Sequence, residues 1–234
     1  MEVLDFKSLL KKANDIVVVS LEDRVDRRET FDSRWKHLCD YRYYLAERMT
    51  KQKAGKILKN FNGHNFPHNV EEETPARWGC FLSHFDCIVS AKARGLDSIL
   101  LLEDDSTPNL DLLNEKFILP PDWDVIYLGS DEPDVLCEFS TKSIRSDQTW
   151  IDDNVRFNFS GWKKVKTWGT WAMLIRSTVF DSLIKEFHSF TFSKEDIDSL
   201  RLDGVYYHYL WKMFSFYHYK NFVLHDYDSQ TNIG

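Results

Sequence analysis

Several features that would assign this chain of 234 residues to a large class are scarce or missing. Its four cysteines, Cys39, Cys80, Cys87 and Cys137, show no C-x-x-C spacing and no dense framework. That pattern argues against a disulfide scaffold and against a zinc site, and fits reduced thiols in a cytoplasmic protein. No apolar run approaches the ~20 residues that a bilayer crossing requires. Residues 1–14 mix acids and lysines with apolar side chains, so neither a secretory h-region nor a transmembrane segment is expected. Basic charge is also in deficit: 30 Lys and Arg stand against 37 Asp and Glu, a formal net charge of -7. General nucleic-acid binding needs a basic face, so no nucleic-acid partner is expected. A local arginine site for a phosphorylated ligand remains compatible with that balance.

What is present suits a globular domain. Hydrophobic residues make up 43% of the chain, enough for a substantial core, and its length fits one domain spanning residues 1–234. Residues 16–19 (Ile-Val-Val-Val) form a β-branched run and predict a strand. A polar loop over residues 20–28 follows, with a helical pattern at 29–38. Strand, polar turn and helix open a nucleotide-binding α/β unit. Arg24, Arg27 and Arg28 of that loop can supply fork-shaped donors to phosphate, or can simply pair with neighbouring acids. Thr74 as N-cap and Pro75 at the first helical position predict a helix running to about residue 94, stopped by Gly95. Its apolar stripe includes Trp78, Phe81, Leu82, Phe85, Ile88 and Val89. Ser83 and His84 flank that stripe, as site residues or as satisfied polar groups of the core.

The organising stretch comes next. Residues 99–102 (Ile-Leu-Leu-Leu) suit a strand buried on both faces, and Glu103, Asp104 and Asp105 follow at once. Adjacent carboxylates on a rigid strand end repel one another, and a hard divalent cation such as Mg²⁺ or Mn²⁺ is the usual remedy. Read alone, three such acids after a strand are more often an acidic loop than a metal site. Further strands are expected at 125–128, 172–175 and 222–224, and a helix at 177–187. Asp131 lies in the loop after the 125–128 strand, where ligands sit in open α/β sheets. Asp203 stands at an expected helix start, as an N-cap or as a base. His225 follows the last strand.

Five segments, in order, resemble glycosyltransferase family 25. They are Val18-Val19-Ser20-Leu21 with Asp26-Arg27-Arg28; Gly79-Cys80-Phe81-Leu82-Ser83-His84; Leu101-Leu102-Glu103-Asp104-Asp105; Trp123-Asp124-Val125-Ile126-Tyr127-Leu128-Gly129; and Trp168-Gly169-Thr170-Trp171-Ala172-Met173-Leu174-Ile175. The resemblance implies a GT-A type, Rossmann-like α/β fold with a mixed, mainly parallel central sheet. The donor-binding part would fall at about 15–130 and the acceptor side at about 131–234. It implies a nucleotide-sugar donor, by default a UDP-hexose, a glycan or glycoprotein acceptor, and Mn²⁺ or Mg²⁺. Under it, Asp105, Glu103 and His225 would hold the metal. Ser20, Leu21, Arg24, Arg28, Ser83, His84, Glu103 and Asp104 would bind the donor, and Asp203 or Asp131 would serve as base for an inverting transfer. A degenerate sugar-binding module and a nucleotidyltransferase are the alternatives. The second would normally carry a Gly-rich phosphate loop, and residues 20–28 contain no glycine.

Overall fold

A computed structural model of the chain describes residues 3–62, 74–130, 149–152, 155–158, 163–164, 169–189 and 213–226. The elements run β1 (Val3–Leu4), α1 (Phe6–Leu10), β2 (Asp15–Leu21), α2 (Val25–Trp35), β3 (Arg42–Ala46), α3 (Lys51–Asn62) and α4 (Thr74–Ala93). They continue with β4 (Ser98–Glu103), β5 (Ser106–Pro108), β6 (Phe117–Ile118), β7 (Val125–Tyr127), β8 (Thr149–Asp152), β9 (Val155–Asn158) and β10 (Lys163–Lys164). The last are β11 (Ala172–Arg176), α5 (Phe180–Ser189), β12 (Phe216–His218) and β13 (Val223–His225).

Seven strands form the central sheet in the order β10-β12-β7-β11-β4-β2-β3. Strands β3, β2 and β4 are parallel, as are β7 and β12. Strand β11 is antiparallel to both β4 and β7, and β10 to β12, so the sheet is mixed. The expected run at 99–102 lies at its centre, with β2 on one side and β11 on the other.

Strand alternation explains why β4 reads as an unbroken apolar run. Ile99 and Leu101 enter one core, with Trp78, Phe81, Ile88 and Ala91 of α4, Ala54 of α3, and Phe180 and Leu183 of α5. Leu100 and Leu102 enter the other, with Phe6, Leu9 and Leu10 of α1, Phe31 and Trp35 of α2, and Phe222. The result is helix, sheet, helix in three layers, and neither face of β4 meets water. Each such side chain contributes about 1.5–3 kcal/mol by burial.

Helix α4 ends as the sequence predicts. Gly95 adopts φ 67°, its N–H donates to the Lys92 carbonyl at 2.9 Å, and the Leu96 N–H reaches the Ala91 carbonyl at 3.1 Å. These two bonds make a Schellman cap, which needs a left-handed residue that glycine tolerates best. Helix α2 begins at Val25, four residues before the expected start at 29, and this moves the arginines relative to the sheet edge. Among the described residues no helix is long and apolar enough to cross a membrane.

Candidate functional site

Strands β2 and β4 are parallel neighbours with Val19 opposite Glu103, so Ser20 comes alongside Asp104 at the same carboxyl-terminal edge. Backbone bonds pin the acidic turn there. The Glu103 N–H donates to the Trp171 carbonyl at 2.9 Å, the Asp104 N–H to Val19 at 3.1 Å, and the Ser106 hydroxyl to the Glu103 carbonyl at 2.8 Å.

The three acids do not share one environment. Asp104 is buried and accepts from the Ser20 hydroxyl at 2.7 Å and from Arg27 Nη1 at 3.0 Å. The same Arg27 nitrogen reaches Asp105 Oδ2 at 3.2 Å. That oxygen also lies 3.5 Å from His225 Nε2, whose ring packs on Trp171 with centroids 5.1 Å apart. Asp105 Oδ1 is buried and takes no hydrogen bond among the described residues. Glu103 continues the Ile99 and Leu101 face toward α4. Its Oε1 accepts from the Thr170 hydroxyl at 3.1 Å and lies 3.5 Å from His84 Nε2 and 3.9 Å from Cys80 Sγ.

Electrostatics follow from this division. Burial raises the Asp104 carboxyl, and the nearby Asp105 charge adds to that. Ser20 and Arg27 oppose it, and the net direction is upward. For Glu103 burial also pushes upward, but the His84 imidazole 3.5 Å away, the His225 charge and the Thr170 hydroxyl outweigh it. The net direction for Glu103 is downward.

Of the expected donor residues, Ser20 and Arg28 join this edge: Arg28 Nη1 donates to Ser20 Oγ at 3.2 Å and to the Leu21 carbonyl, and its Nη2 to the Glu22 carbonyl at 2.9 Å. Arg24 instead makes a two-bond pair with Asp26 at 2.9 and 2.8 Å on an exposed surface. Ser83 is spent on its own helix, donating to the Gly79 carbonyl at 2.8 Å. His84 is fully buried beside Glu103. Of the expected metal set, Asp105 and His225 stand together, while the Glu103 carboxylate turns toward α4. Asp131, Asp203 and Cys137 lie outside the described residues.

Arg27, expected to meet phosphate or to pair with neighbouring acids, is brought onto Asp104 and Asp105 by the earlier start of α2. Three further contributors were not singled out by sequence. Arg34 ties down the last strand: it pairs with Asp226 at 2.9 Å and donates to Thr107 Oγ1 at 2.6 Å, while the Asp226 N–H donates to the Asp105 carbonyl at 2.9 Å. Those links hold His225 against the acidic turn. Cys80 and Thr170 lie within motifs already noted, but their partner is 23 and 67 residues away in sequence.

A divalent cation fits the Asp105 corner on one specific ground: the carboxylate has one buried oxygen, Oδ1, without a hydrogen bond among the described residues, and its other oxygen lies 3.5 Å from an imidazole nitrogen. A carboxylate and an imidazole together suit Mn²⁺ and similar ions.

Comparison with known proteins bears on what such an edge does. The model of glycosyltransferase family 25, described as LPS biosynthesis protein, matches residues 13–200. Procollagen galactosyltransferase 1-B of Xenopus laevis is 29% identical over 143 residues, which is 52% of this chain and 23% of that protein. Procollagen galactosyltransferase 1 of Danio rerio is 29% identical over 147 residues, 53% of this chain and 24% of that protein. The chain thus matches about a quarter of the length of these curated relatives. A solved structure described as a glycosyltransferase involved in the glycosylation of the major capsid of PBCV-1 overlaps with a TM-score of 0.43 at 10% identity, over 88% of this chain and 81% of that one. That overlap is too loose to carry an argument.

Proposed function

The chain belongs to glycosyltransferase family 25, and on that footing we propose that it transfers a hexose from a nucleotide-sugar donor to a hydroxyl of a glycan or glycoprotein, at the acidic edge of β4. The observation that carries this reading is the corner made by Asp104, Asp105, Arg27 and His225, with one Asp105 oxygen buried and without a hydrogen bond among the described residues. A UDP-hexose is the default donor. The names of the two curated relatives favour galactose over glucose.

Asp105 and His225 would hold Mn²⁺ or Mg²⁺, with Asp104 beside them. Bound there, the ion would neutralise the departing diphosphate as a Lewis acid. The chain's own residues do the rest. Ser20 and Arg27 keep the Asp104 carboxylate in a fixed orientation, and Arg28 holds the Ser20 and Leu21 corner rigid beside the donor. Arg34, through Asp226, keeps His225 from swinging away. A rigid edge of this kind spares the transition state the cost of reorganising charge. Inversion at the sugar carbon needs a base to take the acceptor hydroxyl proton as that oxygen attacks. Asp203 is the first candidate for that role and Asp131 the second.

The test is cation-dependent hydrolysis or transfer across a panel of nucleotide sugars, wild type against Asp105→Ala. Turnover of one donor that needs both Mn²⁺ and Asp105 supports the reading. Failure of the folded protein to bind any nucleotide sugar refutes it and leaves a non-catalytic module of the same family.

A further inference from the structure

On the α4 side of β4, three side chains converge to which the mechanism proposed for the Asp105 corner gives no role. Cys80 and His84 are four residues apart on α4, so they project from one face of that helix. Glu103 meets them from the end of β4. One ligand atom from each of the three lies within 4.8 Å of the others, with Sγ to Oε1 at 3.9 Å and Nε2 to Oε1 at 3.5 Å.

We propose that Cys80, His84 and Glu103 form a second cation site, selective for zinc, that joins α4 to the end of β4. A tetrahedral zinc with bonds of ~2.3 Å to sulfur and ~2.1 Å to nitrogen and oxygen holds its ligands ~3.4–3.6 Å apart. The two distances above lie within a few tenths of an ångström of that spacing. The donor set also decides the metal. Thiolate, imidazole and carboxylate form a borderline-soft combination, whereas Mg²⁺ and Mn²⁺ favour oxygen. One thiolate and one carboxylate balance the double charge of the ion.

His84 supplies an independent observation. Its side chain is fully buried, and neither ring nitrogen makes a hydrogen bond among the described residues; the contact with Glu103 is at ion-pair distance only. A buried polar atom left without a partner costs stability, and coordination through Nε2 gives one of the two nitrogens its partner. Thr170, donating to Glu103 Oε1, orients the carboxylate as residues behind a metal ligand commonly do. The expectation that the cysteines form no zinc site rested on spacing between cysteines. Here one cysteine recruits a histidine along the helix and an acid across the sheet.

Zinc content of the purified full chain tests the site, measured by elemental mass spectrometry in wild type, Cys80→Ser and Asp105→Asn. The proposal expects one zinc per chain in wild type and in Asp105→Asn, and its loss in Cys80→Ser. Thr170→Val should weaken zinc binding by about tenfold without removing a ligand. Because Cys80→Ser can disturb α4, wild type stripped by chelator and titrated with Co²⁺ gives a second readout. A near-ultraviolet thiolate-to-cobalt band with tetrahedral visible absorption supports the site. Equal zinc in wild type and folded Cys80→Ser, or Co²⁺ binding without the thiolate band, overturns it. Neither result touches the transferase reading, which depends on Asp105.

Discussion

Arg27→Met is the most informative perturbation of the acidic edge. Arg27 Nη1 lies 3.0 Å from Asp104 and 3.2 Å from Asp105; its side chain is 14% exposed and theirs are 7%. Methionine keeps most of the length but none of the charge, so two buried carboxylates lose a shared counter-charge. Breaking a buried pair from one side costs about 3–5 kcal/mol, and the Ser20 hydroxyl, which still serves Asp104, favours the lower end. At about 2–4 °C per kcal/mol for a chain of this size, Tm should fall by about 6–12 °C without a divalent cation. The same geometry predicts a compensating gain. Arg27 occupies the carboxylates that would hold the proposed cation, and unit charges 4 Å apart at an effective dielectric of 20 interact by about 4 kcal/mol. Removing that repulsion, even heavily screened, should tighten Mn²⁺ binding at least about tenfold, or ~1.4 kcal/mol. Ligand binding adds directly to apparent stability, so saturating Mn²⁺ should raise the variant's Tm more than the wild type's. Thermal unfolding followed by circular dichroism, with and without Mn²⁺, reads both effects. A variant within about 1 kcal/mol of wild type, as expected of a solvent-screened pair, would refute the burial argument. Equal Mn²⁺ shifts in the two proteins would refute the competition between Arg27 and the ion.

Other perturbations follow the same geometry. Ser20→Ala removes a donor to buried Asp104 and an acceptor for Arg28, and should cost about 1–3 kcal/mol in urea unfolding. Asp104 has its folded carboxyl raised, so its contribution to stability is full at acid pH, below the unfolded value, and is lost as pH rises through the folded value. Asp104→Asn cannot ionise, so wild type should lose stability relative to this variant as pH rises from acid to neutral; a constant difference across pH would contradict this. Gly129→Ala would drive its Cβ into the Trp171 indole and the Val223 carbonyl, so denaturation should show a loss of at least about 1–3 kcal/mol. Gly95→Ala meets open space but needs φ 67°, and should lose about 1–2 kcal/mol through backbone strain alone.

Much of the scaffold is legible locally. The apolar run at 99–102 is a strand because four consecutive large aliphatics can all be buried only where both faces are covered, and β4 is covered on both. The helix at Thr74–Ala93 shows its start through Thr74 and Pro75 and its end through Gly95, whose left-handed backbone the Schellman bonds require. The start of α2 is less legible, because Arg24 gives it no side-chain cap and the charged residues 26–29 suit a loop as well as a helix.

The sequence by itself determined that a buried strand ends in three acids beside an arginine-rich turn, since hydrophobic period and charge are properties of neighbours. Only the tertiary structure decided what each acid does. Alternation along β4 sends Glu103 toward α4 and Asp104 toward α2, and the earlier start of α2 selects Arg27 as the counter-charge. His225, 120 residues beyond Asp105, arrives through the pairing of β13 with β5, and Arg34 locks it through Asp226. These are contacts between segments distant in the chain, set by which faces must be buried together, and no local pattern encodes the partner.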